Sequence, residues 1–370
     1  MKHIIYSFIT TKHPGPFISL FRILLTPLKW LYVTIIYIRN LCYDLGISKQ
    51  TQLPCTVISI GNIVVGGTGK TPATATIANL LHKKGYKVVI LLRGYGRSSS
   101  EKISIVSDGE KCLCSRIESG DEAYLLAHQL NGIPIIVGKN RFDTGKIAYD
   151  HFNCDIILLD DGYQHRKLTR DIDILTIDAT QPFGTGTLLP IGTLREPISS
   201  LKRASIILLT RTDSPHKPIE DLKNEIKRYI PNSSILDSIH HPTSLYELGN
   251  HNWKNDESQT IPLKELEDKR ILAVCGIGNP DAFKSTIQSL NPESIQLIPF
   301  PDHHIYSDSD IEKIVQKSKQ VNAQWVVTTQ KDEDKLATLS QHIPVFVLSI
   351  ELIFTDGKEV LLNELQAIIH

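Results

Sequence analysis

The sequence predicts an α/β protein: a phosphate-loop (P-loop), doubly wound, mostly parallel sheet, with a second, smaller α/β domain and an N-terminal membrane-associating helix. Three observations predict it. From residue 55 onward, short β-branched runs alternate with helical patterns, the signature of βαβ units. A glycine-rich turn stands between one apolar run and the helix that follows it. A later apolar run ends in two adjacent carboxylates, at the end of the strand where doubly wound sheets hold ligands.

The first element is the N-terminal one. Residues 17–41 are mostly apolar but carry Arg22, Lys29 and Arg39, with Pro27 in the middle. A spanning helix needs about 20 residues with few or no charges, and a signal peptide needs a small-residue cleavage site, which does not follow this run. Arginine and lysine mixed with Trp30, Tyr32, Tyr37 and leucines suit the plane of a membrane interface. A helix packed into the soluble body is the competing reading.

Strands are expected at 55–60, 87–92, 134–137, 155–159, 172–177 and 205–210, with helices at 72–84, 121–130 and 141–151 between them. A polar stretch at about 212–268 interrupts the pattern; it holds a charged helix at 219–228 and a loop-rich tract at 249–260. Strand-like runs resume at 271–275, 294–298, 325–328 and 344–348. The expected division is 1–45 for the N-terminal segment, 46–215 for the phosphate-loop domain, and 216–370 for a connecting region with the smaller domain.

The run Cys55-Thr-Val-Ile-Ser-Ile-Gly-Asn-Ile-Val-Val-Gly-Gly-Thr-Gly-Lys-Thr-Pro72 carries the most chemistry. Gly66, Gly67, Thr68 and Gly69 offer backbone N–H groups to phosphate oxygens, and the glycines lack a Cβ that would obstruct them. The helix N-terminus adds its positive dipole end. Lys70 reaches β- and γ-phosphates, and the Thr71 hydroxyl suits Mg²⁺. A nucleoside triphosphate and Mg²⁺ are therefore the expected cofactors. Val64 occupies the first glycine position of GxxxxGK[ST], the one departure from that pattern. Val65 stands where ATPase switches of the partitioning type usually carry lysine, which argues against that class.

Asp160 and Asp161 end the run Cys154-Asp-Ile-Ile-Leu-Leu-Asp160 and point toward the phosphate loop, where carboxylates hold Mg²⁺ directly or through water. Gln164 and His165 follow and can position substrate or metal waters. Asp121 and Glu122 open a helix, where acidic residues are also favoured by the dipole alone. Asp302, His303 and His304 follow a strand of the second domain. A histidine brought from there to a carboxylate would make a general-base pair.

The chain has 370 residues, 41% apolar and 22% charged, an ordinary globular composition. Forty basic residues balance forty acidic ones, which gives no support to nucleic-acid binding. The six cysteines form no CxxC and read as reduced thiols. Thr210-Arg-Thr-Asp213 sits at a strand end where GTPases carry NKxD, and only Asp213 matches.

Taken together, Ser59-Ile-Gly-Asn62, Gly66-Gly-Thr-Gly-Lys-Thr-Pro72, Arg93-Gly-Tyr-Gly96, Gly120-Asp-Glu122, Asp160-Asp-Gly-Tyr-Gln-His165, Leu194-Arg-Glu-Pro197 and Phe300-Pro-Asp-His303 resemble the tetraacyldisaccharide 4′-kinase family. Their order covers about residues 20–335. Ile191 and Gln330 depart from the family pattern, outside the chemistry. The resemblance implies γ-phosphoryl transfer from ATP to the 4′-hydroxyl of an acylated glucosamine disaccharide 1-phosphate, a lipid A precursor. It implies peripheral attachment to the cytoplasmic face of the bacterial inner membrane. It also implies that Asp121 and His303 form the catalytic dyad, that Thr71, Asp160 and Asp161 serve the metal and Lys70 the phosphates. Arg195 and Glu196 join the active-site shell on the same basis. A P-loop enzyme for a soluble metabolite and a membrane-associated nucleotide switch are the competing classes.

Overall fold

The computed structural model describes residues 15–249 and 260–369. Residues 1–14 of the expected N-terminal segment, and nearly all of the loop-rich tract at 249–260, lie outside the described residues.

Among the described residues twelve strands form one sheet. In chain order they are β1 (Thr56–Gly61), β2 (Val88–Leu92), β3 (Ile103–Ser107), β4 (Ile135–Gly138), β5 (Ile156–Asp160), β6 (Ile172–Asp178), β7 (Ile206–Thr210), β8 (Ser234–Glu247), β9 (Arg270–Cys275), β10 (Ser294–Pro299), β11 (Trp325–Thr329) and β12 (Val345–Asp356). Their spatial order is β10-β9-β11-β12-β8-β7-β6-β1-β5-β2-β4-β3. All neighbours run parallel except β3 with β4 and β8 with β12. β1, β2, β4, β5, β6 and β7 are buried along their whole length, so they read as unbroken aliphatic runs.

Helices cover both faces of the first half. Lys70–Lys83 buries Ala73, Ile77, Ala78 and Leu81, and Asp121–Gln129 buries Ala123, Leu126 and Ala127, on one face. Arg141–Phe152 buries Ala148 on the other, against Val57, Val89 and Leu159. The second half repeats the scheme. Asp308–Gln320 contributes Ile311 and Ile314 to one core, and Pro280–Gln288 contributes Phe283 and Ile287 to another. The expected doubly wound, mostly parallel α/β sheet is therefore present, and its two halves have separate cores.

The stretch read as an interruption of the pattern instead contains β8, which joins the halves. Ser234–Asp237 pairs in parallel with β7, and the rest of the strand runs antiparallel to β12. Its sequence, SILDSIHHPTSLYE, hides the strand because Pro242 and two histidines break the apolar alternation. Beyond Asp237 the strand no longer pairs with β7, so Pro242 can lack an N–H without breaking that ladder. β12 likewise continues past the expected 344–348, because Ser349–Asp356 follows β8 outward. β3, a short antiparallel edge strand, was not expected either.

Among the described N-terminal residues the chain forms two helices, Pro16–Leu24 and Thr26–Asp44, broken at Leu25 just before Pro27. Proline suits the first turn, where its missing N–H would have no partner. Ile36 is buried, whereas Leu20, Ile23, Leu24, Leu28, Trp30, Leu31, Ile35 and Tyr37 are exposed. No described helix is long and apolar enough to cross a membrane. All six cysteines are free, with Cys154 and Cys275 buried.

Candidate active site

The phosphate loop leaves β1 at Gly61. Val64 is buried and bridges Leu194, while Val65 donates to the Thr193 carbonyl. The residue in the first glycine position thus packs as core, and the turn begins two residues later. Gly66 and Gly69 have φ of 121° and 82°, where a side chain would be strained. Gly69 then caps the helix Lys70–Lys83, which starts two residues earlier than proline alone indicates.

The Thr68 hydroxyl is turned inward, bonded to Asn62 Nδ2 at 2.8 Å and to Thr176 Oγ1 at 2.9 Å. Its side chain therefore shapes the loop. The loop is also held from outside. Thr210 Oγ1 donates to the Thr68 carbonyl, and Arg211 donates to the Gly67 carbonyl and to Asp178. Asp178 accepts as well from Asn279, which precedes the helix Pro280–Gln288 of the second half. Gly278 lies so close that a Cβ on it would stand 2.6 Å from Gly67 N. The second half therefore rests on the phosphate loop.

Lys70 and Thr71 meet the two carboxylates as expected. Thr71 Oγ1 donates to Asp160 Oδ2 at 3.0 Å, and Lys70 Nζ lies 3.7 Å from Asp161 Oδ1. Burial pushes the Asp160 carboxyl up to about 6, although Lys70 opposes the shift. Burial acts on Asp161 in the same direction, but Lys70 and Arg195 outweigh it and hold that group down at about 2. Arg195 Nη1 donates to both Asp161 oxygens, at 2.9 and 2.8 Å. Hydroxyl and carboxylate oxygens are hard donors suited to Mg²⁺. Asp160 and Thr71 face each other as a metal pair would, whereas Arg195 already occupies both oxygens of Asp161.

Gln164 donates to the Asn62 carbonyl at 2.8 Å and so braces the loop strand. His165 Nε2 is buried with no partner among the described residues. Burial, aided by Arg141, pushes that imidazole down to about 4, so it is neutral near pH 7. Glu196 is fully buried and gathers Arg203 at 2.8 Å, Arg39 at 3.1 Å and Asn40 at 3.0 Å. It anchors the helix Thr26–Asp44, and the Tyr32 hydroxyl donates to the Arg195 carbonyl alongside it.

Asp121 and His303, 182 positions apart, are brought together: His303 Nδ1 lies 2.9 Å from Asp121 Oδ2. His303 Nε2 lies 3.3 Å from Glu122 Oε1. Asp121 Oδ1 accepts from Arg116 at 3.1 Å, and Oδ2 also accepts from Lys335. Burial disfavours the charged form of Asp121, but the His303 and Lys335 hydrogen bonds prevail and hold it well below the usual carboxylate range. Burial likewise favours neutral His303, yet the bonds to Asp121 and Glu122 push the ring up to about 9. At neutral pH the pair is thus carboxylate and imidazolium. The Glu122 charge also helps to raise Asp160, so this cluster stands near enough to the phosphate-loop carboxylates to act on them electrostatically. His304 instead bonds Asp310 at 3.0 Å.

The family model of LpxK, tetraacyldisaccharide-1-P 4′-kinase, matches residues 21–369. The chain belongs to that family. The tetraacyldisaccharide 4′-kinase of Syntrophus aciditrophicus is 39% identical over 342 residues, 90% of each chain. That of Halothermothrix orenii is 37% identical, over 89% of this chain and 88% of its own. The crystal structure of LpxK from Aquifex aeolicus in complex with ATP matches with a TM-score of 0.73 at 30% identity, over 95% of this chain and 100% of that one. The resemblance carried by the motifs is borne out. Sequence reasoning missed Arg116, Lys331, Lys335, Asp178, Arg211 and Asn279 around this family's cleft. Gly276-Ile-Gly-Asn-Pro280, a second glycine turn between strand and helix, was a usable signal for the last. The lysines lay in an unremarkable charged run.

Proposed function

We propose that the protein transfers the γ-phosphoryl group of ATP to the 4′-hydroxyl of an acylated glucosamine disaccharide 1-phosphate, in lipid A biosynthesis. The observation that carries this reading is the contact between Asp121 and His303 beside a phosphate loop, in a chain of this family. Phosphoryl transfer asks chiefly for positioning and neutralisation of charge. Lys70 neutralises the transferred group, and the loop amides with the helix N-terminus cradle the remaining phosphates. Mg²⁺ would supply further charge neutralisation, held by Thr71 and Asp160, with Asp161 beside them under Arg195.

A sugar hydroxyl needs help to lose its proton. Asp121 is the ionised member of the dyad, so it accepts that proton while His303, as imidazolium, orients it. Arg195 holds Asp161 in place, Gln164 and His165 line the cleft, and Glu196 ties it to the N-terminal helix. The acceptor stays in a bilayer, so the enzyme comes to it. The exposed leucines, isoleucines and Trp30 of residues 20–37 form an apolar face with Arg22 and Lys29 alongside, the composition of an interfacial helix. We assign that face to the cytoplasmic side of the inner membrane. The two halves of the sheet act as separate domains, and the boundary near residue 215 is not clean, because Leu222 and Ile226 and, from the C-terminal helix, Leu361 and Leu365 pack into the phosphate-loop half.

The test is direct. Purified protein is incubated with ATP, Mg²⁺ and the acylated disaccharide 1-phosphate in mixed micelles, and products are read by mass spectrometry. Gain of one phosphoryl group at the 4′ position supports the assignment. Transfer to a soluble sugar but not to the lipid would favour the soluble-metabolite class.

A further inference from the structure

Lys335 is 2% exposed, and its ammonium reaches Asp121 Oδ2 from the other half of the molecule. Its second neighbour is Asp332, at 3.8 Å, which is fully buried. Asp332 is fixed in turn, because its Oδ2 accepts from Gly276 N and Thr329 Oγ1, each at 2.8 Å. The ammonium is therefore strung between a carboxylate anchored in its own half and the carboxylate of the dyad across the cleft.

A carboxylate has about four lone-pair sites. At Asp121 three are taken, by Arg116 on Oδ1 and by His303 and Lys335 on Oδ2. The open one is on Oδ1. On the side of Arg116, Tyr124 and His128 the cluster, Asp121 included, borders a cavity of about 10 Å³. Charges facing the cluster come from every neighbouring element: Arg116 and Glu122 beside Asp121, Asp302 and His303 after β10, and Lys331, Asp332, Asp334 and Lys335 after β11. Tyr95 and Tyr124 add phenols. In the directly paired set, four cations (Arg116, His303, Lys331, Lys335) balance four carboxylates (Asp121, Glu122, Asp302, Asp332) only when His303 is protonated.

We propose that Lys335 is a positioning residue for the reaction: by occupying Oδ2 from the far half, it leaves Oδ1 of Asp121 as the oxygen open to the acceptor hydroxyl. The base is then complete only when the two halves meet. This rests on the dyad reading above. It is consistent with the depressed acidity range of Asp121, to which Lys335 contributes both a hydrogen bond and a charge.

The experiment compares full-length wild type, Asp121→Asn, Lys335→Met and Lys335→Gln in the micellar assay, across pH, with melting temperatures measured alongside. Lys335→Met is expected to lower kcat by at least ~10-fold while KM for ATP stays within about twofold. Its acid limb should move up by about one unit or more, because a carboxylate loses a cation within bonding distance. Lys335→Gln, which keeps a donor but drops the charge, should shift the limb in the same direction. Wild-type kcat with an unmoved limb in a folded Lys335 variant overturns the proposal. So does a fall in kcat that follows lost stability while the limb stays still, since a brace alone would do that. If the methionine variant does not fold, the glutamine variant is read by the same criteria. Full activity in Asp121→Asn sinks the dyad reading itself; an inactive Asp121→Asn beside an unaffected Lys335→Met sinks this proposal alone.

Discussion

Replacing Asp121 by asparagine should release the proton that the cluster keeps on His303. Burial opposes a charge on the imidazole, yet Asp121 and then Glu122 push it up to about 9, above its ordinary value of 6.5. A shift of that size corresponds to about 3 kcal/mol favouring the charged ring, and the ring is three-quarters buried, so solvent screening removes only part of it. The substitution removes the carboxylate in direct contact, so the His303 value should fall by about one unit or more toward 6.5. The assay is NMR titration of the histidine ring carbons, with His303 identified by its absence from His303→Gln. The same shift has a stability consequence with a definite sign. A folded value above the unfolded one means the contribution is fully present below about 6.5 and is lost as pH rises through about 9. Chemical denaturation of the wild type should therefore show a loss of up to about 3 kcal/mol across that window, smaller in Asp121→Asn. A wild-type His303 that titrates near 6.5 in the folded, unliganded protein would refute the ion-pair account and reopen which member of the dyad takes the proton.

Lys70→Ala should cut turnover by at least ~100-fold yet leave the fold intact, since Arg195 still holds Asp161; near wild-type kcat would sink the kinase assignment. Combining Asp121→Ala with His303→Ala should cost little more in kcat than the worse single change, as for residues acting as a unit; additive losses would mean separate roles. Gly278→Ala sets a methyl 2.6 Å from Gly67 N and must push the halves apart, which should raise KM for ATP severalfold, measured against an unchanged Gly15→Ala control in open space. Exchanging Leu20, Ile23, Leu24 and Leu28 for serine should weaken sedimentation with anionic vesicles, because buried apolar area drives that binding; unaltered binding would return the helix to a packing role.

The first half of the sheet was legible because its strands are buried on both faces and spell out aliphatic runs between helices of matching length. The phosphate loop and the Asp160–Asp161 pair were legible for the same reason: chemistry at the end of an unmistakable strand. β8 was not, because a strand pairing on one side beyond Asp237 tolerates Pro242 and polar residues that erase its period. The meeting of Asp121 with His303 was expected from the family resemblance; spacing alone does not bring residues 182 apart together. Thr68 and Glu196 show the other limit. Both lie in the right motifs, but one side chain faces the loop interior and the other holds a helix, distinctions set by packing rather than by residue type. The Lys335 contact depends on how two halves abut, which no local pattern encodes.

The helix Thr26–Asp44 is bonded to Arg195 and Glu196, and Arg195 grips Asp161. Only one side chain thus separates the element bearing the apolar face from a carboxylate at the phosphate loop. With the apolar face on a bilayer, as proposed, a tether would let the reaction centre wander above the surface, whereas this attachment would work as a depth gauge. It would set one height at which the phosphoryl donor meets whatever hydroxyl rises from the layer below, and acceptors whose hydroxyl lies at another height would be passed over without any pocket having to reject them.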